Sequence, residues 1–226
     1  MERNVNMDEI SDGKLYGLND LVRVGCDDCN GCFACCQRMG TSIILDPLDI
    51  YRLEINLNKT FEELIIDKIE LNVVDGLIMP NLKMTGLSER CSFLNSEGRC
   101  SIHTFRPGIC RLFPLGRYYE NHAFRYFHQI HECQKNNKTK IKVRKWIDTP
   151  DIKNNEQFII DWHYLLKDFQ GIIKNTVNEN LMKEINMYIL KKFYIHKYHS
   201  NIDFYIQFNE RLSEAKEFLV MVAHKN

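Results

Sequence analysis

The run CDDCNGCFACC, Cys26–Cys36, places five thiols within eleven residues and ends on two side by side. Thiols separated by two residues can turn their sulfurs toward one ion, at about 2.3 Å from each sulfur if that ion is zinc. Cys26, Cys29, Cys32 and Cys35 repeat this interval three times. One tetrahedral ion needs four ligands, so a fifth thiol points to more than one metal atom. Adjacent side chains of extended backbone face opposite ways. That predicts that Cys35 and Cys36 serve two ions, or two corners of a cluster. Read instead as Cys26, Cys29, Cys32 and Cys36, the run has the spacing of a bacterial ferredoxin segment. Gln37 stands where that segment has proline, and no second copy follows. Spacing alone leaves zinc and an iron–sulfur cluster both open.

Four further cysteines, Cys91, Cys100, Cys110 and Cys133, are too widely spaced to form local knuckles. They must arrive from separate loops, so a shared metal would staple those loops together and couple its binding to folding. Arg99, Arg106, Arg111 and Arg117 accompany them. Guanidinium groups beside several thiolates would offset negative charge and donate hydrogen bonds to sulfur. His103, His128 and His131 are the histidines nearest to cysteines in sequence. Each is expected to be an ordinary surface or core histidine. With Arg106, they are also the polar groups that would line a cleft if the centre were catalytic.

The 226 residues are 44% apolar and 27% charged, the balance of a soluble globular protein with a real core. Thirty basic and thirty acidic residues cancel, so no net charge steers the molecule to nucleic acid or to an anionic membrane. The opening MERNVNMDEISDGK lacks the basic and apolar regions of a signal peptide. No apolar run approaches the roughly 20 residues of a membrane helix. A cytoplasmic protein is expected. In that reducing compartment, closely spaced thiols read as metal ligands rather than disulfides, and nine cysteines is an odd number.

The elements that must position these thiols suggest an α+β fold: a small, loop-rich, metal-stapled domain followed by an α-helical C-terminal region. Residues 1–134 form the cysteine-cluster domain in this reading, 135–150 a basic linker and 151–226 the helical region. Asp46-Pro47 reads as an N-cap and first helical residue, and Thr60 with Glu63 as a capping box. Asp75-Gly76, between β-branched residues, signals a hairpin, and a second tight turn is expected at Asn95–Gly98. KNNKTKIKVRK, Lys135–Lys145, lacks interleaved aromatics for base stacking, which weighs against nucleic acid. Apolar residues recur at helical spacing from Phe158 to Phe169, from Leu181 to Ile189 and from Phe204 to Val222. They predict three helices whose aromatic stripes are core.

CNGCFACC (Cys29–Cys36), CSFLNSEGRCSIHTFRPGICRLFPLG (Cys91–Gly116) and a final Cys133 together resemble the YkgJ-type cysteine-cluster family, the CxxCxxCC proteins, described as a zinc- or iron-chelating domain. The resemblance covers about residues 25–135. It implies eight metal ligands: Cys29, Cys32, Cys35, Cys36, Cys91, Cys100, Cys110 and Cys133. Cys26 lies outside the pattern, as an extra ligand or a spare thiol. A more distant relation is the flagellin lysine methylase FliB, where a similar motif accompanies methylation of protein lysines. The function expected is a zinc- or iron–sulfur-binding protein whose thiolates staple the fold, zinc being slightly favoured in purified material, with the helical region available to a protein partner. A metal-dependent, protein-modifying enzyme and a metal store are the alternatives.

Overall fold

The computed structural model describes residues 6–26 and 32–225. The chain opens with α1 (Met7–Ile10), β1 (Ser11–Tyr16) and β2 (Leu21–Gly25). Next come α2 (Pro47–Leu57), α3 (Phe61–Asp67) and the hairpin of β3 (Ile69–Val74) and β4 (Leu77–Leu82). Short strands β5 (Met84–Thr85) and β6 (Arg90–Cys91) lead to α4 (Gly108–Leu112), β7 (Leu115–Glu120) and β8 (Ala123–Gln129). After β9 (Thr139–Lys142) and α5 (Val143–Ile147) come three long helices, α6 (Ile152–Asn175), α7 (Glu179–Leu190) and α8 (Phe204–Ala223). The class is α+β, with small antiparallel sheets and a helical C-terminal region, as the sequence predicts.

The chain forms two compact units, each discontinuous in sequence. One combines Leu45–Asn81 with Lys153–Asn226; the other combines Glu2–Ile44 with Leu82–Ile152. The first, the helical unit, contains no cysteine; the eight described cysteines belong to the second.

In the helical unit, the expected caps are in place. The Asp46 side chain accepts from Asp49 N at 2.9 Å, and the Asp49 side chain returns the bond, with Pro47 first in α2. Thr60 and Glu63 do the same for α3. Such a cap is worth about 1 kcal/mol. The β3–β4 turn has Asp75 at φ 50° and Gly76 at φ 85°, the paired left-handed residues that match strand twist in a two-residue hairpin. A Cβ on Gly76 would also lie 2.7 Å from Ile173 Cγ2. The apolar stripes form core: Phe158, Trp162, Phe169, Ile185 and Phe208 are all buried. Aromatic edges meet aromatic faces, as between Phe158 and Phe208 at 4.6 Å. Beyond α7 a π-helical turn, Lys191–Ile195, buries Phe193 and Tyr194, and the Tyr194 hydroxyl donates to Leu45 O.

The cysteine unit has a three-stranded antiparallel sheet in the order β1-β8-β7 and a two-stranded β2–β9 ribbon. Val22, Val24, Leu112, Leu115, Tyr126, Val143 and Ile147 make its core. Within the basic stretch read as a linker, β9 and α5 form; their lysines face water, while Val143 and Ile147 are buried. The β7–β8 hairpin turns at Asn121 and His122, both at positive φ.

Asn186, a buried polar residue of α7, fastens the hairpin to the helices. Its Oδ1 accepts from Ile78 N at 2.6 Å, and its Nδ2 donates to Gly76 O at 3.1 Å and Met182 O at 2.9 Å. Asn186→Ala leaves these backbone groups without their partner. It should cost about 1–3 kcal/mol, seen as a lower urea midpoint at unchanged slope.

Candidate metal centre

The CFACC segment is not extended at its end. Ala34–Cys36 is a turn of 3-10 helix, closed by Cys36 N donating to Phe33 O at 2.9 Å. Successive side chains in such a turn stand about a third of a revolution apart, so the two sulfurs approach, and the Cys36 thiol donates to Cys35. This corrects the expectation that Cys35 and Cys36 face opposite ways. In this turn the touching pair does not by itself require two ions.

Three attachments hold this segment against the Cys91–Cys100 loop. Gln37 bridges to Arg90, and Arg38 N donates to Glu89 O at 2.9 Å. Phe33 lies on Gly98, whose φ is +73° and where a Cβ would come within 2.8 Å of the ring. The loop is a tight turn, as expected. Asn95 Oδ1 accepts from Glu97 N at 3.1 Å and Arg99 N at 2.7 Å, and Leu94 pairs with Cys100.

Cys110 sits on the short α4. Arg111, beside it, is buried, with its guanidinium on backbone carbonyls: Nε to Arg106 O at 3.2 Å, Nη1 to Asp148 O at 2.9 Å and Nη2 to Thr104 O. One side chain thereby ties the loop before α4 to the end of α5.

These supports bring Cys35, Cys100 and Cys110 within electrostatic reach of Cys36. Hydrogen bonding to Cys35, burial, and the negative charge of Cys35, Cys100 and Cys110 all push the Cys36 thiol well above its ordinary range. The hydrogen bond from Cys36 brings Cys35 down to about 7 against its burial, helped by its own backbone and by Arg106. Burial raises Cys100, opposed by a hydrogen bond from the Ile102 backbone and by Arg106 and Arg99. Among the described residues no disulfide joins the cysteines, and no three His, Cys, Asp or Glu side chains already stand at ion-binding spacing.

The other expected ligands lie as follows. Cys91 is buried on β6, opposite Met84. Cys32 is half-buried, just before the 3-10 turn. Half-buried Cys133 follows β8, and its carbonyl accepts from Lys138 Nζ at 2.7 Å. Cys26 follows β2, and Cys29 lies outside the described residues. Arg106 and Arg99 favour the Cys100 thiolate, as expected; the Arg111 guanidinium binds backbone carbonyls, and Arg117 lies over the Phe124 ring at 5.4 Å. His103 Nδ1 is 3.0 Å from Arg106 Nη1. His128 is buried, its Nδ1 3.9 Å from Asp12 Oδ2, and His131 is exposed. Phe33, Gly98 and Arg111 are the supporting residues that cysteine spacing does not reveal.

A family model described as "Putative zinc- or iron-chelating domain", CxxCxxCC, matches residues 28–146, more than half of the chain. The chain belongs to this family. The matched span holds the four gathered thiols and their supports; most of the helical unit lies outside it. No curated protein and no solved structure matches the chain.

The fork of Arg111 yields a test of support against charge. Arg111→Lys keeps the positive charge but cannot reach three carbonyls at once. It should destabilise the protein by about 1–3 kcal/mol in chemical denaturation; a lysine variant as stable as the parent would show that charge alone is needed.

Proposed function

We propose that the cysteine unit is a structural metal domain, in which one thiophilic centre is anchored on Cys35, Cys36, Cys100 and Cys110. The observation that supports this reading is the surroundings of Cys36: Cys35 in the same 3-10 turn, Cys100 just after the Asn95–Gly98 turn and Cys110 on α4 all lie within electrostatic reach of it and oppose its ionisation. A cation relieves that opposition, and thiolates select zinc and iron–sulfur centres over hard cations. Cys29, Cys32, Cys91 and Cys133 complete the family's set of eight. Four thiolates suit either a zinc ion or a four-iron cluster. Zinc is favoured because it needs nothing beyond the ion itself.

In this reading the centre supplies a cross-link. The chain's own residues do the rest: Arg111 and Asn95 shape the loops, Phe33 on Gly98 docks the turn, and Arg106 and Arg99 balance charge. Among the described residues no helix is long and apolar enough to cross a membrane. A reducing cytosol would keep the thiols available to metal. The helical unit, free of cysteine, is the part left for a protein partner.

Anaerobic purification followed by metal analysis and a visible spectrum tests the assignment. Colourless protein carrying zinc, or brown protein carrying iron and sulfide, supports a bound centre. Serine at Cys36, Cys100 or Cys110 should release the metal, and chelation should unfold the cysteine unit. Structural zinc contributes roughly 10 kcal/mol or more in small domains. Stoichiometric metal retained in all three variants would contradict the assignment.

A further inference from the structure

In the β2–β9 ribbon, Leu21 lies opposite Lys142, Val22 opposite Ile141 and Arg23 opposite Lys140. Opposed residues of an antiparallel pair share a face, and side chains alternate along each strand. Val22 and Val24 enter the core, so Leu21, Arg23, Lys140 and Lys142 point outward, and all four are exposed. α5 starts at the next residue and leaves Arg144 and Lys145 exposed. Arg23, Lys140 and Lys142 thus share one face of the ribbon, with Arg23 directly across from Lys140, and Arg144 and Lys145 are exposed just beyond its end. Like charges at such a position destabilise a strand pair. Among the described residues no carboxylate forms an ion pair with any of the five. Asp20, at the start of β2, is engaged by Gly17 N at 2.7 Å.

We propose that this surface binds the phosphate backbone of a single-stranded nucleic acid. Charge complementarity carries the proposal: a local row of unpaired cations stands on a chain whose formal net charge is zero. A protein interface would need an apolar centre and would be poor in lysine, whereas Leu21 is the lone apolar side chain of this outward group. The row is two strands, about 5 Å, across, which fits a linear polyanion better than a membrane plane. The inner face of the ribbon is packed, so it is not free to enter a major groove as an isolated ribbon does. The Trp146 indole donates to Leu112 O and Phe113 O and is not offered for base stacking. Binding is therefore independent of base sequence and strongly dependent on salt. Net charge and the lack of interleaved aromatics weigh against nucleic acid in the sequence; the strand register adds Arg23 from far upstream and turns it to the same side as Lys140 and Lys142.

The test is fluorescence anisotropy of the full, anaerobically purified chain with fluorescein-labelled oligothymidylate and oligouridylate across a salt series. If each cation meets one phosphate, the logarithm of the binding constant falls with that of salt at a slope of about −3.5. The triple variant Arg23→Gln, Lys140→Gln, Lys142→Gln removes mutual repulsion, so it should melt no earlier than the parent. Its slope should shrink to about −1.4 and its low-salt affinity fall by ~10-fold or more. Lys183→Gln, on the helical unit, should bind as the parent does. Four results would each overturn the proposal: no binding by the parent at low salt, parental slope in the triple variant, equal displacement by polyglutamate, or capture by phosphatidylserine vesicles without binding to the oligonucleotides.

Discussion

The gathering of Cys35, Cys100 and Cys110 about Cys36, where burial and the neighbouring thiols oppose its ionisation, is the constraint on which the proposed metal centre depends. Left protonated, such thiols are small apolar groups that bury readily; as thiolates they would need a cation among them. Here the groups come from segments tens of residues apart, and the chain brings them together with ordinary hydrogen bonds and one ring-on-glycine contact. Arg106 and Arg99 lower the electrostatic cost without removing it, since burial still holds Cys100 up. In the proposed reading, cross-linking by metal would do in this loop-rich unit part of what a larger apolar core does elsewhere.

The two units divide the work. The helical unit is held by aromatic packing, helix caps and the Asn186 clasp, and it carries none of the thiols. The cysteine unit takes its rigidity from the β1-β8-β7 sheet, the β2–β9 ribbon and the carbonyl clasp of Arg111. Because each unit is assembled from two stretches of chain, the cysteine motifs are interrupted by Leu45–Asn81. The interval between Cys36 and Cys91 therefore reflects a stretch of the other unit rather than a loop of the cysteine unit.

Much of this was legible in the sequence. Asp46-Pro47, Thr60 with Glu63 and Asp75-Gly76 are local signals, satisfied by residues within a few positions of one another, and each formed the expected element. The helical stripes were legible because a buried face repeats every three to four residues. The thiols were legible by type and spacing. The backbone at Cys35–Cys36 was not: a 3-10 turn and an extended strand give the same letters, and docking on Glu89, Arg90 and Gly98 decides between them. The role of Arg111 was hidden too, because a guanidinium beside cysteine suggests charge balance, whereas its partners are carbonyls supplied by distant loops. The β7–β8 hairpin turns on Asn121-His122, which lacks the glycine that marks such turns. Strand pairing, which sets Arg23 against Lys140, is a long-range fact that no local pattern encodes.

X-ray absorption at the metal edge of the anaerobically purified chain examines the centre most directly. The account predicts a first shell of sulfur, at about 2.3 Å if the metal is zinc, with no oxygen or nitrogen neighbour. A first shell made of nitrogen and oxygen would contradict it, because the thiols around Cys36 would then not be what holds the metal.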